Sequence, residues 1–205
     1  MTDPVAPAYV DRLPGAVCVY CASSRSADPE YREFAAAIGA RLASAGRTLV
    51  YGGSREGSMG AVADGALSAG GRVIGVMPGF LQALEIAHDR LSELHIVEDL
   101  RERKHQMLCR ASAVIALPGG TGTFEELLEA LTLKRLGIFL GPIVICNQRS
   151  FYDPLIALLD AAVREHFMAE RHRAMWQVVQ TVDEAMAALD SAPSWPEDAL
   201  RFAST

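Results

Sequence analysis

The chain has 205 residues and a mass of 22.0 kDa, which suits one domain of ordinary size. Half of the residues are hydrophobic and 21% are charged, so global disorder is excluded. The formal net charge of −6 excludes a chain-wide basic surface for nucleic acid or an anionic membrane. No apolar run approaches the roughly 18 residues of a membrane span, and the N-terminus lacks signal-peptide features. We therefore expect a cytoplasmic protein that binds neither nucleic acid nor membrane.

Short apolar runs alternate with helical patterns along the chain. In the first half we predict, in chain order, strand 16–23, helix 29–46, strand 47–53, helix 59–71, strand 72–78, a short helical segment near 81–88 and strand 94–99. In the second half we predict helix 100–112, strand 113–120, helix 123–137, strand 142–147, helix 151–167 and helix 182–192. The ends, about 1–14 and 193–205, contain prolines and no hydrophobic period, and we predict that they are frayed.

This alternation of nearly all-apolar strands with helices predicts a parallel sheet that is covered on both faces. The expected fold is a Rossmann-like, doubly wound α/β domain, with a single core over about residues 16–192. In such folds a ligand binds beyond the carboxyl ends of the strands, where the strand order reverses. The loops that lead from strands into helices are therefore the expected place for chemistry.

The four cysteines do not suggest a disulfide framework in a chain of this length. Cys18 and Cys21 form a C-x-x-C pattern, which is found in redox proteins when the first Cys begins a helix. Here both lie in a predicted strand, where residues three apart point to opposite faces of the sheet. We predict that these two cysteines, like Cys109 and Cys146, are buried structural thiols in a reducing compartment.

Three strand-to-helix loops, at 22–26, 52–60 and 118–123, are rich in Gly and Ser. Glycines bring backbone N–H groups close to a ligand, and the helix that follows adds its positive dipole end. The second loop has the glycine spacing of a Walker A motif but lacks its Lys, and the third loop lacks the last glycine of a dinucleotide fingerprint. No metal-ligand motif is present, and we expect neither metal nor cofactor.

The third loop is followed directly by Glu125 and Glu126. Two carboxylates would repel a pyrophosphate, whereas a monophosphate with its sugar farther along the loop suits both features. Other interpretations remain open. The run from Thr123 to Glu126 also fits a capping box, and the run 101–104 fits a solvated helix start. Glu85, one helical turn from His88, fits a surface pair.

Residues 118–126 match the PGGxGTxxE signature of the LOG family, the cytokinin riboside 5′-monophosphate phosphoribohydrolases. The resemblance covers about residues 16–170 and includes the run 102–104. It implies that Arg103 and Glu126 form the catalytic pair. The substrate-binding residues predicted from the resemblance and the first two loops are Ser23, Gly53, Glu85, Lys104, Gly119, Gly120, Thr121, Gly122, Thr123 and Glu125.

Hydrolysis of an N-glycosidic bond places positive charge on the sugar in the transition state. We expect the Glu126 carboxylate to stabilise that charge and to take a proton from water. Arg103 cannot act as an acid because a guanidinium does not give up its proton in proteins, so it would fix geometry through paired hydrogen bonds. The cradle at 119–123 would hold the 5′-phosphate. A purine nucleoside 5′-monophosphate is therefore the expected substrate, with free base and ribose 5-phosphate as products.

A second interpretation is a carrier of a phosphorylated ligand, as in the related molybdenum cofactor carrier proteins. The presence of both Arg103 and Glu126 favours the enzyme, since a passive cradle needs neither. The second loop departs from the LOG pattern at 54–56 and at 58, which bears on the preferred base rather than on the reaction. The resemblance also implies a homodimer, for which the predicted helix 123–137 offers Leu127, Leu128, Leu131 and Leu136 as apolar surface.

Overall fold

The computed structural model describes residues 12–83, 86–196 and 198–202. Within these residues seven strands form one parallel sheet in the order β4-β3-β2-β1-β5-β6-β7. They are β1 (Val17–Tyr20), β2 (Leu49–Tyr51), β3 (Val73–Pro78), β4 (Glu93–Val97), β5 (Ala113–Ala116), β6 (Ile143–Cys146) and β7 (Gln177–Val179). The order reverses between β1 and β5, so the crevice for a ligand lies where these two strands end. The predicted doubly wound α/β fold is confirmed.

In the described part of the chain six α-helices cover the sheet: α1 (Pro29–Ser44), α2 (Gly57–Ser68), α3 (Leu100–Cys109), α4 (Thr121–Arg135), α5 (Asp153–Arg164) and α6 (Val182–Ser191). Side chains of α1, α2 and α6 pack on one face of the sheet, and side chains of α3, α4 and α5 pack on the other. Strand β1 supplies both layers in alternation, since Cys18 and Tyr20 point to one and Val17 and Val19 to the other. The described helices include none that is long and apolar enough to cross a bilayer.

The cysteine prediction is confirmed. All four thiols are buried and free of disulfide bonds, and Cys18 and Cys21 lie in opposite core layers. Burial raises the pKa of the Cys146 thiol to about 12, so this sulfur stays protonated near neutral pH. The C-x-x-C pattern therefore arises from one buried residue of β1 and one buried residue just after it, and it is not a redox pair.

Three segments differ from the sequence prediction. Strand β7 and the 3₁₀ helix Glu170–Met175 were not predicted, because β7 is a three-residue edge strand with only Val179 buried. The C-terminal segment is not frayed where it is described. Trp195 and Ala199 are buried in the core, because their apolar side chains gain more from packing than the prolines around them cost. Of the predicted helical segment near 81–88, residues 81–83 end a 3₁₀ helix, Gly79–Ala83, and 84–85 lie outside the described residues. The prediction is wrong for 86–88, where Ala87 instead forms an antiparallel bridge with Ser54.

Helices α1 and α2 approach closely because each offers a glycine to the backbone of the other. A Cβ atom at Gly39 would overlap the carbonyl oxygen of Val62, and one at Gly65 would overlap that of Ala36. These contacts hold the two loops that precede α1 and α2 in a fixed relation. The close packing of α1 on α2 therefore affects the position of the two loops that lead into these helices.

We expect Gly39→Ala to lower the free energy of unfolding by about 1–2 kcal/mol, because overpacking outweighs the gain in helix propensity. Gly122→Ala on α4 is the matched control, since no described atom lies within 4 Å of its new Cβ. It should raise the same free energy by up to about 1 kcal/mol. Urea unfolding of both variants measures the change in the free energy of unfolding, which should be negative for Gly39→Ala and positive for Gly122→Ala. A stabilised Gly39→Ala would contradict the close approach of α1 and α2.

Candidate active site

A cleft of about 270 Å³ lies at the point where the strand order reverses. The loop after β1 forms one wall, and the loop after β5 with the first turn of α4 forms the other. Arg103 of α3 and Glu126 of α4 also line the cleft. Its lining residues are Cys21, Ala22, Ser23, Ser24, Met59, Arg103, Gly120, Thr121, Gly122, Thr123 and Glu126.

Helix α4 begins two residues earlier than predicted, and this changes the interpretation of Glu126. Gly120 has an extended backbone, with φ −93° and ψ −159°, and serves as the N-cap. Its carbonyl oxygen accepts the first helical hydrogen bond from Phe124 N at 3.0 Å. Thr123 is thus the third residue of the helix and not its cap, so the capping-box interpretation is wrong. Glu126 lies in the second turn of α4 and is only 7% exposed.

The glycines of the third loop permit this early start. A Cβ at Gly119 would overlap the side-chain hydroxyl of Thr123, so the loop can fold against α4 only with glycine at this position. Gly120 and Gly122 have open space around them and line the cleft. The start of α4 therefore lines the cleft with two residues, Gly120 and Gly122, that place no side chain in it. This geometry is typical of a phosphate cradle.

Arg103 is buried, with 5% of its surface exposed. The interpretation of the run 101–104 as a solvated helix start is therefore wrong for Arg103. Its Nη2 donates a hydrogen bond to the carbonyl oxygen of Gly52 at 2.7 Å, and its Nε donates to that of Val76 at 3.1 Å. The residue after β2 and a residue within β3 therefore hold the guanidinium by two hydrogen bonds. Any side chain at Gly52 would overlap it. Arg101, by contrast, is exposed at the surface.

The charge of Glu126 affects two buried groups on β1. Burial and then the nearby negative charge of Glu126 raise the pKa of the Cys18 thiol. Burial, Cys18 and then Glu126 raise the pKa of the Tyr20 hydroxyl. Both groups therefore stay neutral near pH 7 and are unsuited to proton transfer. Among the described residues that line the cleft, the carboxylate of Glu126 is the group suited to act as a base.

Several predicted site residues lie outside the cleft lining. Lys104 Nζ donates to Glu125 Oε1 at 2.7 Å and lies 2.9 Å from Glu129 Oε2. Burial by itself would lower the pKa of Lys104, but its hydrogen bonds to these two carboxylates raise it. Lys104 and Glu125 thus contact each other, across α3 and α4, outside the Arg103–Glu126 cleft. Their predicted contact with substrate stays a prediction.

The second loop supplies a glycine with a special backbone. Gly53 has φ +82°, a conformation that favours glycine, and its carbonyl oxygen accepts a hydrogen bond from His88 N at 3.0 Å. His88 is buried, and its Nε2 lies 3.2 Å from Asp64 Oδ1, so the surface-pair interpretation is wrong for His88. Glu85 lies outside the described residues. Gly53 does not line the cleft but fixes the loop behind it.

Sequence reasoning missed the residues that hold the site in place. Gly52 and Val76 act through backbone carbonyls, which carry no sequence signal. The hydroxyl of Tyr152 donates to the carbonyl oxygen of Leu117 at 2.7 Å and so supports the strand end just before the third loop. Asn147 accepts from Tyr152 N at 2.7 Å and fixes that ring. The polar residue Asn147 at the end of an apolar strand is the one signal that could have indicated this support.

The fold and the cleft define a doubly wound α/β protein that carries a glycine-rich cradle beside a buried Arg and a buried Glu. Residues 59–189 match the protein family described as "Possible lysine decarboxylase". The chain is 39% identical over 179 residues to the cytokinin riboside 5′-monophosphate phosphoribohydrolase of Rhodococcoides fascians, covering 87% of this chain and 90% of that protein. It is 40% identical over 174 residues to the phosphoribohydrolase LOG of Oryza sativa subsp. japonica, covering 85% and 72%. The chain therefore belongs to the LOG family.

Solved structures share the fold at lower identity. The molybdenum cofactor carrier protein of Chlamydomonas reinhardtii matches with a TM-score of 0.67 and 22% identity, over 86% of this chain and 96% of that one. The molybdenum cofactor binding protein of Rippkaea orientalis matches with a TM-score of 0.68 and 20% identity, over 86% and 95%. These similarities support the Rossmann-like fold alone.

Proposed function

We propose that this protein is a hydrolase that cleaves the N-glycosidic bond of purine and cytokinin riboside 5′-monophosphates. The products are the free base and ribose 5-phosphate. The observation that carries the proposal is that Arg103 and Glu126 line one cleft together with the cradle Gly120–Thr123. The phosphoribohydrolases at 39% and 40% identity support the reaction. The carrier alternative rests on structures that are 20–22% identical, so it has less support.

In this mechanism the cradle holds the 5′-phosphate at the start of α4, where backbone N–H groups and the helix dipole favour an anion. Binding energy from the phosphate then orients the reacting carbon of the sugar. Glu126 is buried, and a low-dielectric setting strengthens its attraction for the positive charge that develops on the sugar. The same carboxylate takes a proton from the attacking water.

Arg103 has a positioning task in this proposal. Its guanidinium is fixed by hydrogen bonds to the carbonyl oxygens of Gly52 and Val76. It can therefore orient a carboxylate or the nucleotide without moving during the reaction. Ser23 lines the opposite wall and adds a hydroxyl to the site. Glu85, Lys104, Glu125, Gly53 and Gly119 complete the proposed set on the family resemblance.

The wider setting belongs to the same proposal. Four buried cysteines suit a reducing compartment, and we place the protein in the cytoplasm. A homodimer is proposed on the family resemblance. The helix surface expected to support it is smaller than the sequence suggests, because Leu127 and Leu131 pack into the chain's own core while Leu128 stays 42% exposed.

The reaction is tested by incubating the protein with AMP and, separately, with isopentenyladenosine monophosphate, and separating the products by chromatography. We expect free base and ribose 5-phosphate from at least one of them, with activity that survives EDTA. Adenosine is the matched control and should react far more slowly, since it lacks the phosphate that the cradle holds. Tight binding of the nucleotides without cleavage would support the carrier, and equal turnover of adenosine would exclude the phosphate cradle.

A further inference from the structure

The first and second loops, 22–26 and 52–60, contact each other beside the cleft. Met59 N donates a hydrogen bond to the carbonyl oxygen of Ala22 at 3.1 Å. Gly57, with φ +56°, lies against the backbone of Ser23 and Ser24, and a Cβ there would come within 2.5 Å of the Ser24 carbonyl oxygen. Ser23 and Ser24 line the cleft, so the second loop supports the wall that the first loop presents.

An ion pair spans the two loops at this point. Arg25 Nη2 donates to Glu56 Oε1 at 2.7 Å, and Arg25 Nε donates to Glu56 Oε2, so the contact is bidentate. The Glu56 side chain is 18% exposed and that of Arg25 is 71% exposed. A bidentate pair restricts both distance and orientation, which a single hydrogen bond does not.

Each partner is fixed to its own loop. Glu56 N donates to Ser54 Oγ at 3.2 Å, and Ser54 is fully buried. The carbonyl oxygen of Arg25 accepts a hydrogen bond from Arg32 Nη1 of α1 at 3.1 Å. The ion pair therefore links two anchored segments, and a change in it must move the short wall between them.

We propose that Arg25 and Glu56 are positioning residues for substrate binding. Their ion pair sets the position of Ser23 and Ser24 opposite the cradle Gly120–Thr123 and thereby the width of the cleft. This inference rests on the proposed function, because its readout is the affinity for the nucleotide. Neither Arg25 nor Glu56 lines the cleft, so the pair acts through the wall and not by touching substrate.

A direct contact between Arg25 and the substrate phosphate is the competing explanation, and the two make opposite predictions for Glu56. If the pair acts as a unit, removal of either partner has the same effect, and removal of both is no worse. If Arg25 binds phosphate directly, Glu56→Ala releases it from its partner, and affinity is unchanged or improved. Exposed ion pairs contribute little to stability, so neither variant should unfold the protein.

The experiment measures KM and kcat for the nucleotide cleaved by the parent, at low salt, for Arg25→Ala, Glu56→Ala and the double variant. We expect KM to rise about tenfold in all three variants, while kcat stays within about twofold of the parent. The rise in KM is smaller than the roughly hundredfold loss that a 1 Å misplacement of reacting groups can cause, because the pair positions the wall and not the reacting groups. The charge-reversed double variant Arg25→Glu with Glu56→Arg should recover most of the affinity. Arg41→Ala is the matched control, because its ion pair with Asp183 at 2.5 Å links α1 to α6 away from the cleft.

The outcomes separate this inference from the proposed function. A parent that cleaves no nucleotide contradicts the function itself. A parent that cleaves nucleotide while Arg25→Ala keeps the parental KM overturns the positioning role alone. Additive losses in the double variant, or a Glu56→Ala variant with lower KM, would also overturn it and favour direct contact. Equal, non-additive losses with rescue by charge reversal support it.

Discussion

Glu126→Gln should lose on the order of 10²- to 10⁴-fold in turnover, the usual effect of removing a positioned acid or base. The amide has the shape of the carboxylate, but it neither stabilises a cationic sugar nor takes a proton from water. Because Glu126 is buried in the second turn of α4 and does not cap the helix, the loss cannot come from a weakened helix start. The measurement is a product assay and a melting curve on the same preparation.

Stability should change much less than activity. Loss of a hydrogen bond to a charged group costs up to about 3 kcal/mol, so the variant should remain folded at assay temperature. Glu129→Gln is the control, since Glu129 lies one turn farther along α4 and faces Lys104 outside the cleft. It should keep parental turnover. A Glu126→Gln variant that melts and hydrolyses nucleotide like the parent would disprove the proposed mechanism.

Gly52→Ala should reduce turnover at least about a hundredfold, the cost of misplacing a catalytic group by roughly 1 Å. The new methyl group would overlap the Arg103 guanidinium, which also loses its hydrogen bond geometry to the Gly52 carbonyl oxygen. Because the added methyl group takes no part in the reaction, the loss of turnover reports on the position of Arg103. Steady-state assays at saturating nucleotide measure it.

The control for this substitution is Gly79→Ala, where the nearest described atom to the new Cβ is Ile96 Cγ2 at 3.7 Å, an ordinary contact. It should leave turnover unchanged. Overpacking should lower the stability of Gly52→Ala by about 1–3 kcal/mol, and far-ultraviolet circular dichroism checks that the variant is folded. Arg103→Ala should give the same loss of activity. Parental turnover in Gly52→Ala, with Arg103→Ala inactive, would show that the Gly52 contact does not position Arg103.

The sequence by itself determined the fold class and the location of the site. Strands such as Val17–Tyr20 are apolar at every position, which is compatible only with burial on both faces. Glycine-rich loops followed by helices then mark the carboxyl edge of the sheet. The cradle at 118–123 was predicted in this way, the pair Arg103 and Glu126 was implied by the resemblance to the LOG family, and both residues of the pair line one cleft in the structure. These features are local or periodic, so sequence patterns contain them.

Only the tertiary structure decided where the predicted site residues lie and what they contact. The pattern from Thr123 to Glu126 fits a cap equally well, and α4 begins at Thr121 because Gly119 packs against the Thr123 side chain. Arg103 lies in a run of charged residues that resembles a solvated surface. It is buried because the carbonyl oxygens of Gly52, just after β2, and Val76, in β3, accept its hydrogen bonds, although these residues are 51 and 27 positions away in sequence. Backbone acceptors are present at every residue, so their convergence on one guanidinium depends on the packing of strands and helices and cannot be inferred from residue types.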